Sequence, residues 1–175
     1  MISRRNFLKF AAVVTALYPF EVGKAFASQK TDRSLNLFNI HTGESLDINY
    51  LVAGAYDYEA LEKINYLLRC HYTNQVKKID IGVLDLLSDI RNIIAPNKQF
   101  KIISGYRSPE YNEYLVSLGR HVAKNSLHQR GLAIDFAIDG IGTERITRVA
   151  RSFTSGGVGG YPEFVHIDVG RVRYW

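Results

Sequence analysis

Asp135 stands in the middle of an apolar run, Leu132-Ala133-Ile134-Asp135-Phe136-Ala137-Ile138. Such a run reads as a strand, and alternation puts Leu132, Ile134, Phe136 and Ile138 on one face and Ala133, Asp135 and Ala137 on the other. A buried carboxylate is costly unless a cation or hydrogen-bond donors compensate it. The flanking alanines leave space beside it for such a partner. His128 lies seven residues upstream, in a loop that can reach over the same face. A second segment, Glu163-Phe164-Val165-His166-Ile167-Asp168, is also strand-like, with His166 and Asp168 pointing one way and Val165, Ile167 and Val169 the other. Two imidazole nitrogens and one carboxylate oxygen, with a fourth position open, are the donor set of a catalytic zinc site. Spacing alone leaves another reading open: a surface histidine, a salt-bridged aspartate and a core histidine that share nothing.

The remaining pattern predicts the scaffold around these residues. Leu35–Ile40 and Ser45–Tyr50 alternate on either side of His41-Thr42-Gly43-Glu44, which predicts a hairpin. Asp57 caps an expected helix from Tyr58 to about His71, with Leu61, Ile64, Leu67 and Leu68 at helical spacing. Asp80 caps another through about Ile94, and Ser108-Pro109 opens a third that Gly119 can end. Strands are expected at Phe100–Ser104, Leu132–Ile138, Phe164–Val169 and Val172–Trp175, and a helix from Thr143 to about Phe153. Strands and helices mix without regular βαβ alternation. The expected class is therefore α+β, a small and mainly antiparallel sheet with flanking helices.

The first 27 residues read as an address rather than as part of this domain. Arg4 and Arg5 are followed by Phe7, Leu8 and Lys9, then an apolar stretch from Phe10 to Phe20, then Ala25-Phe26-Ala27. That order is n-region, h-region and small-residue cleavage site, and the arginine pair matches a twin-arginine export signal. It predicts export to the periplasm through the twin-arginine machinery, cleavage after Ala27, and a domain spanning 28–175. No apolar run approaches the ~20 residues of a membrane-spanning helix. The net charge of +5 owes much to this leader, because residues 28–175 carry 18 basic and 16 acidic side chains. A nearly balanced body argues against a nucleic-acid partner. The chain's single cysteine, Cys70, excludes an intrachain disulfide framework.

Several tempting signals carry no site on this reading. Cys70 and His71 are adjacent, so on a helix they point about 100° apart. Gly156-Gly157-Val158-Gly159-Gly160 lacks the lysine and hydroxyl of a phosphate loop. Its glycines are expected to turn the chain and to let substrate approach the backbone. His41 has no partner at ligand spacing. His121, seven residues before His128, is a weaker candidate for lining a cleft.

The spacing S-x-H-x-x-G-x-A-x-D, carried by Ser126, His128, Gly131, Ala133 and Asp135, with a later strand ending His166-Ile167-Asp168, resembles a superfamily of zinc peptidases. These are the D-Ala-D-Ala carboxypeptidases and dipeptidases and the L-alanyl-D-glutamate endopeptidases of bacterial cell walls, which share a hedgehog-type fold. The runs S-G-Y-R-S at 104–108, H-T-G-E at 41–44 and G-G-V-G-G-Y-P at 156–162 extend the likeness to the exported murein endopeptidase K group. The resemblance implies one zinc per chain on His128, Asp135 and His166. It implies Arg107 as an anchor for a substrate carboxylate or carbonyl. Ser126 and Gln129, which flank the first ligand, read equally as support for it, as substrate contacts or as caps of their loop, and Tyr106 and Tyr161 equally as substrate contacts or as core residues. The resemblance also implies a carboxylate for proton transfer. Glu163, three residues before the last histidine, occupies the position many relatives use, while Phe164 departs from relatives that have histidine there. Asp168 competes for the role. Glu163 is expected to be the base and Asp168 the residue that orients His166. The implied activity is hydrolysis of peptide cross-links in peptidoglycan. A wall-binding domain without turnover, or a carboxypeptidase acting on stem peptides, are the alternatives.

Overall fold

The structure is a computed structural model that describes residues 32–120 and 122–175. The expected leader, residues 1–27, and His121 lie outside the described residues. Eight strands form one sheet: β1 (Arg33–Asn39), β2 (Ser45–Val52), β3 (Ala55–Tyr56), β4 (Phe100–Ser104), β5 (Ala133–Ile138), β6 (Gly157–Gly160), β7 (Val165–Asp168) and β8 (Arg173–Tyr174). Four α-helices accompany it: α1 (Tyr58–Leu67), α2 (Ile81–Ile94), α3 (Pro109–Ser117) and α4 (Thr143–Ser152). The strand order is β3-β2-β1-β4-β5-β7-β6-β8. Only β1 with β4 and β6 with β8 run parallel, so the sheet is mostly antiparallel and the class is α+β as expected.

Alternation sorts the central strands into two faces. Leu35, Leu37, Phe100, Ile102, Ile134, Phe136, Val165 and Ile167 are all essentially inaccessible and join the buried residues of α1, α2 and α4 in a single core. The register stacks these side chains across the sheet: Leu37 faces Phe100, Ile102 faces Phe136, and Ile134 faces Ile167. Phe100 and Phe136 stack at 5.1 Å. Burying a large aliphatic or aromatic side chain stabilises the fold by roughly 1.5–3 kcal/mol each. The core thus fixes the pleat, and the pleat fixes which residues of β5 and β7 turn to the opposite side.

The caps fall where the sequence placed them. Asp57 accepts from the N–H groups of Glu59 and Ala60, Asp80 from Gly82, and Ser108 from Tyr111. Two expectations need correction, and one strand was not expected. Helix α1 ends at Leu67, not His71, because the carbonyl of Leu68 accepts the N–H of Tyr106 at 2.8 Å instead of continuing the helix. Ala55–Tyr56 forms a short edge strand on β2 that no alternation announced. Gly157–Gly160 is a strand between β7 and β8 rather than a turn. Its missing Cβ atoms are filled by the molecule itself: a Cβ on Gly157 would collide with Asp168 and Arg173, and one on Gly160 would meet Thr147 at 3.0 Å.

Candidate metal centre

One row across the sheet builds the site. Ser104 on β4, Asp135 on β5, His166 on β7 and Gly159 on β6 are successive cross-strand partners. Asp135 and His166 therefore stand side by side on the face away from the core. Asp168 follows two residues along the same face, opposite Ala133. His128 comes from outside the sheet, on a single 3₁₀ turn, Leu127–Arg130, just before β5. Ser126 caps that turn by accepting the N–H of His128, and Gly131 closes it in the left-handed conformation at φ 70°. A side chain at Gly131 would strike the carbonyl of Lys78, so glycine is required twice over.

Three ligand atoms converge. Asp135 Oδ1 lies 2.7 Å from His166 Nδ1 and 3.2 Å from His128 Nε2, and the two ring nitrogens are 3.2 Å apart. Tetrahedral zinc with bonds of ~2.0–2.1 Å would set its ligand atoms about 3.3 Å apart. The ring orientations match that requirement. The outer nitrogen of each ring is already committed: His128 Nδ1 donates to the carbonyl of Gly105 at 2.8 Å, and His166 Nε2 donates to Asp168 Oδ2 at 3.0 Å. These bonds fix the tautomers and leave both inner lone pairs facing Asp135. Two lone pairs and a carboxylate meeting at this range form a donor set that a cation can join. The residues present fit a divalent metal of the zinc type, and no other group of this kind occurs among the described residues.

The electrostatics agree. Burial opposes ionisation of Asp135, but the imidazoles of His128 and His166 hold its carboxyl well below the usual carboxylate range. Burial likewise opposes protonation of His166, yet its bonds to Asp135 and Asp168 push it up to about 9. Asp168 is fully buried and saturated: Oδ1 accepts from Gly157 N, Gly170 N and Arg173 Nη1, and Oδ2 from His166 and Arg173 Nη2. Although burial raises it, these donors keep its carboxyl far below the ordinary value.

A cavity of about 340 Å³ opens over these ligands. Arg107 lines it, only 9% exposed, with Nη2 3.7 Å from Asp135 Oδ2 and Nε without a partner. The S-G-Y-R-S run explains its position. The β4–β5 register slips between Ile102 and Ser104, Gly105 presses against the Leu68 backbone, and Ser108 starts α3, so the chain turns under the cavity. Upstream, His41 donates to the carbonyl of Ile103 at 3.0 Å and Glu44 is paired bidentately with Arg69, which ties the H-T-G-E turn to the same corner.

The structure brings together His128, Asp135, His166, Asp168, Arg107 and Ser126. It does not bring the other expected contacts to the cavity. Tyr106 is buried in the core, with its hydroxyl 3.5 Å from Gln75. Gln129 caps its own loop, donating to Lys124 O at 2.8 Å, and lines a separate groove beside α3. Glu163 is exposed and lies just before β7, so strand parity does not govern it. Its neighbours Tyr161 and Phe164 do line the cavity. Sequence reading missed Arg173 and Trp175, which wall the cavity from the end of the chain. Their pairing to β6 is long-range, and no local spacing signals it.

Comparison with known proteins places the chain in a family. The profile of the family described as "Peptidoglycan L,D-endopeptidase MepK" matches residues 27–175. The chain belongs to this family. The family is one of metallopeptidases, in keeping with the His-Asp-His group. Peptidoglycan L,D-endopeptidase MepK of Escherichia coli K12 is 42% identical over 155 residues, covering 86% of this chain and 85% of that protein. The probable peptidoglycan L,D-endopeptidase MepK of Haemophilus influenzae is 39% identical over 154 residues, covering 86% and 83%. The profile of the twin-arginine translocation signal sequence matches residues 1–17, as the Arg4-Arg5 pair led us to expect. No solved structure matches the chain. No helix among the described residues is long and apolar enough to cross a membrane.

Proposed function

We propose that the chain is a zinc-dependent peptidoglycan endopeptidase that hydrolyses peptide cross-links, with His128, Asp135 and His166 holding one zinc. The single observation that carries this is the convergence of three ligand atoms with both imidazole tautomers pre-set, at the floor of an open cavity. The hedgehog-type fold of the zinc wall peptidases is part of the same proposal. So is the division of the chain into a signal of residues 1–27, removed on export to the periplasm, and a peptidase domain of residues 28–175.

Bound there, zinc supplies Lewis acidity toward the scissile carbonyl and toward a water molecule. The chain's own groups do the rest. Arg107, buried with an unpaired Nε, presents a guanidinium to a substrate carboxylate or carbonyl. Asp168 holds His166 in the tautomer that exposes Nδ1. Asp168 is a poor acceptor for a catalytic proton because five donors already occupy its oxygens. Glu163 is therefore assigned as general base: it takes the proton of the attacking water and returns it to the leaving amine. Its place in the chain supports this, since Tyr161 and Phe164 on either side form the cavity wall and an exposed glutamate between them is free to turn inward. Ser126 acts by shaping the turn that delivers His128.

The test is digestion of purified cross-linked muropeptides by the zinc-loaded chain, with products identified by mass spectrometry. Conversion of dimers to monomers is expected. Loss of a terminal residue alone would make the chain a carboxypeptidase, and binding without any product would make it a wall-binding domain.

A further inference from the structure

The chain contains one tryptophan, and it sits on the metal centre. The Trp175 indole lies 5.4 Å from the His166 ring. It is held there by contacts on several sides. Its Nε1–H donates to the Tyr161 hydroxyl at 2.8 Å, and the Arg173 guanidinium lies 5.0 Å from its ring centre. Its backbone extends β8, donating to Val158 O and accepting from Gly160 N. Beneath the ring is Gly159, where a Cβ would come within 2.5–2.8 Å of the indole atoms. Strand β6 is thus bare at Gly159 to admit this ring, not to admit substrate.

An indole fixed so closely would be expected to be covered, yet Trp175 is 45% exposed and Tyr161 38%. Both line the cavity, as does Phe164, which stacks on Tyr161 at 4.5 Å. The site is therefore two-sided in chemistry. Beside Asp135 stands a buried guanidinium, and beside His166 stands a rigid aromatic wall. Ring faces of this kind favour planar amides and aliphatic carbons, and a wall already ordered binds them with little loss of conformational freedom.

We propose that Trp175, seated on Gly159 and clamped by Tyr161, is a specificity-determining residue whose indole packs against the amide and aliphatic carbons of the cross-linking peptide next to the scissile bond. This rests on the endopeptidase reading of the same centre. Trp175 touches substrate but transfers no proton and holds no metal.

Steady-state cleavage of purified muropeptide dimers by zinc-loaded Trp175→Ala, Trp175→Phe and Gly159→Ala tests it, alongside zinc content. Trp175→Ala should raise KM by roughly three- to tenfold, the worth of one aromatic contact. Its kcat and zinc content should change little. Trp175→Phe should recover most of the loss, and Gly159→Ala should behave like Trp175→Ala because its methyl unseats the ring. Unchanged KM in Trp175→Ala with zinc bound would overturn the proposal. So would a fall in kcat and zinc content at constant KM, which would mark a purely structural role. The single tryptophan provides a readout independent of turnover. Emission of the parent chain should shift on titration with the same dimers even if they are not cleaved. Absence of cleavage with a shift would reject the endopeptidase reading alone, and a flat titration would reject the role of Trp175.

Discussion

Replacing Asp168 by asparagine changes one atom and disturbs the whole centre. Each oxygen of Asp168 accepts from at least two donors, so the new amide must face donors whichever way it turns. If its NH₂ faces His166, the imidazole must accept at Nε2 and carry its proton on Nδ1, aimed at Asp135 instead of at a metal. If the NH₂ faces Gly157 and Gly170, two backbone donors lose their acceptor inside the protein. Hydrogen bonds to charged groups contribute ~1.5–3 kcal/mol each, and some re-form around the remaining oxygen. The Arg173 side chain is 33% exposed, so water offsets part of its loss. A net destabilisation of about 2–3 kcal/mol follows. Zinc affinity should fall roughly 10–100-fold, the usual consequence of removing a carboxylate behind a ligand histidine. Competition titration against a chelating zinc indicator measures the second quantity and urea unfolding of the metal-free protein the first. Parental zinc affinity in Asp168→Asn would refute the tautomer argument.

Other outcomes follow from the same geometry. Glu163→Gln should retain zinc and lower turnover by roughly 10²–10⁴-fold, and a nearly silent substitution in a steady-state assay would remove Glu163 from the mechanism. Changing Arg4 and Arg5 together to lysine should leave the precursor inside the cell in a fractionation experiment, whereas the parent should be recovered outside with its N-terminus at or beside Ser28. His71 gives a pH effect of definite sign. Burial and the neighbouring His41 and Arg107 depress it to about 4, while its ring stacks on His41 at 3.8 Å and meets Tyr111 edge-on. Its contribution is complete above the unfolded value of about 6.5 and is lost as pH falls toward 4, because only the unfolded chain takes up the proton there. Urea midpoints across that window should decline in the parent and be flatter in His71→Phe.

Parity on two strands made the facing of Asp135 and His166 legible, and the loop just upstream placed His128 near the same face, but spacing alone did not group the three as ligands; the family resemblance did, and their convergence is long-range. Ser126 and Gly131 were legible as a motif, but their work, a cap and a left-handed turn, needed coordinates to be seen. Tyr106 shows the limit of position along the chain. Next to Arg107 in the same motif, it points into the core because its N–H is bound to Leu68 and the chain reverses there. The glycine strand was illegible for a different reason. Glycine disfavours strands by its own propensity, and here the side chains of Asp168, Arg173, Trp175 and Thr147 supply the packing that Gly157, Gly159 and Gly160 lack. Those partners are distant in sequence, so no window along the chain contains the cause.

Metal stoichiometry joined to turnover tests the central claim most directly. Purified mature chain should carry about one zinc, lose cleavage of cross-linked muropeptides when a chelator removes it, and regain cleavage when zinc is returned. His128→Ala and His166→Ala should fail at the last step, because each removes one of the three converging ligand atoms. Active protein free of zinc and of any substitute metal, or full activity in either alanine variant, would contradict the account.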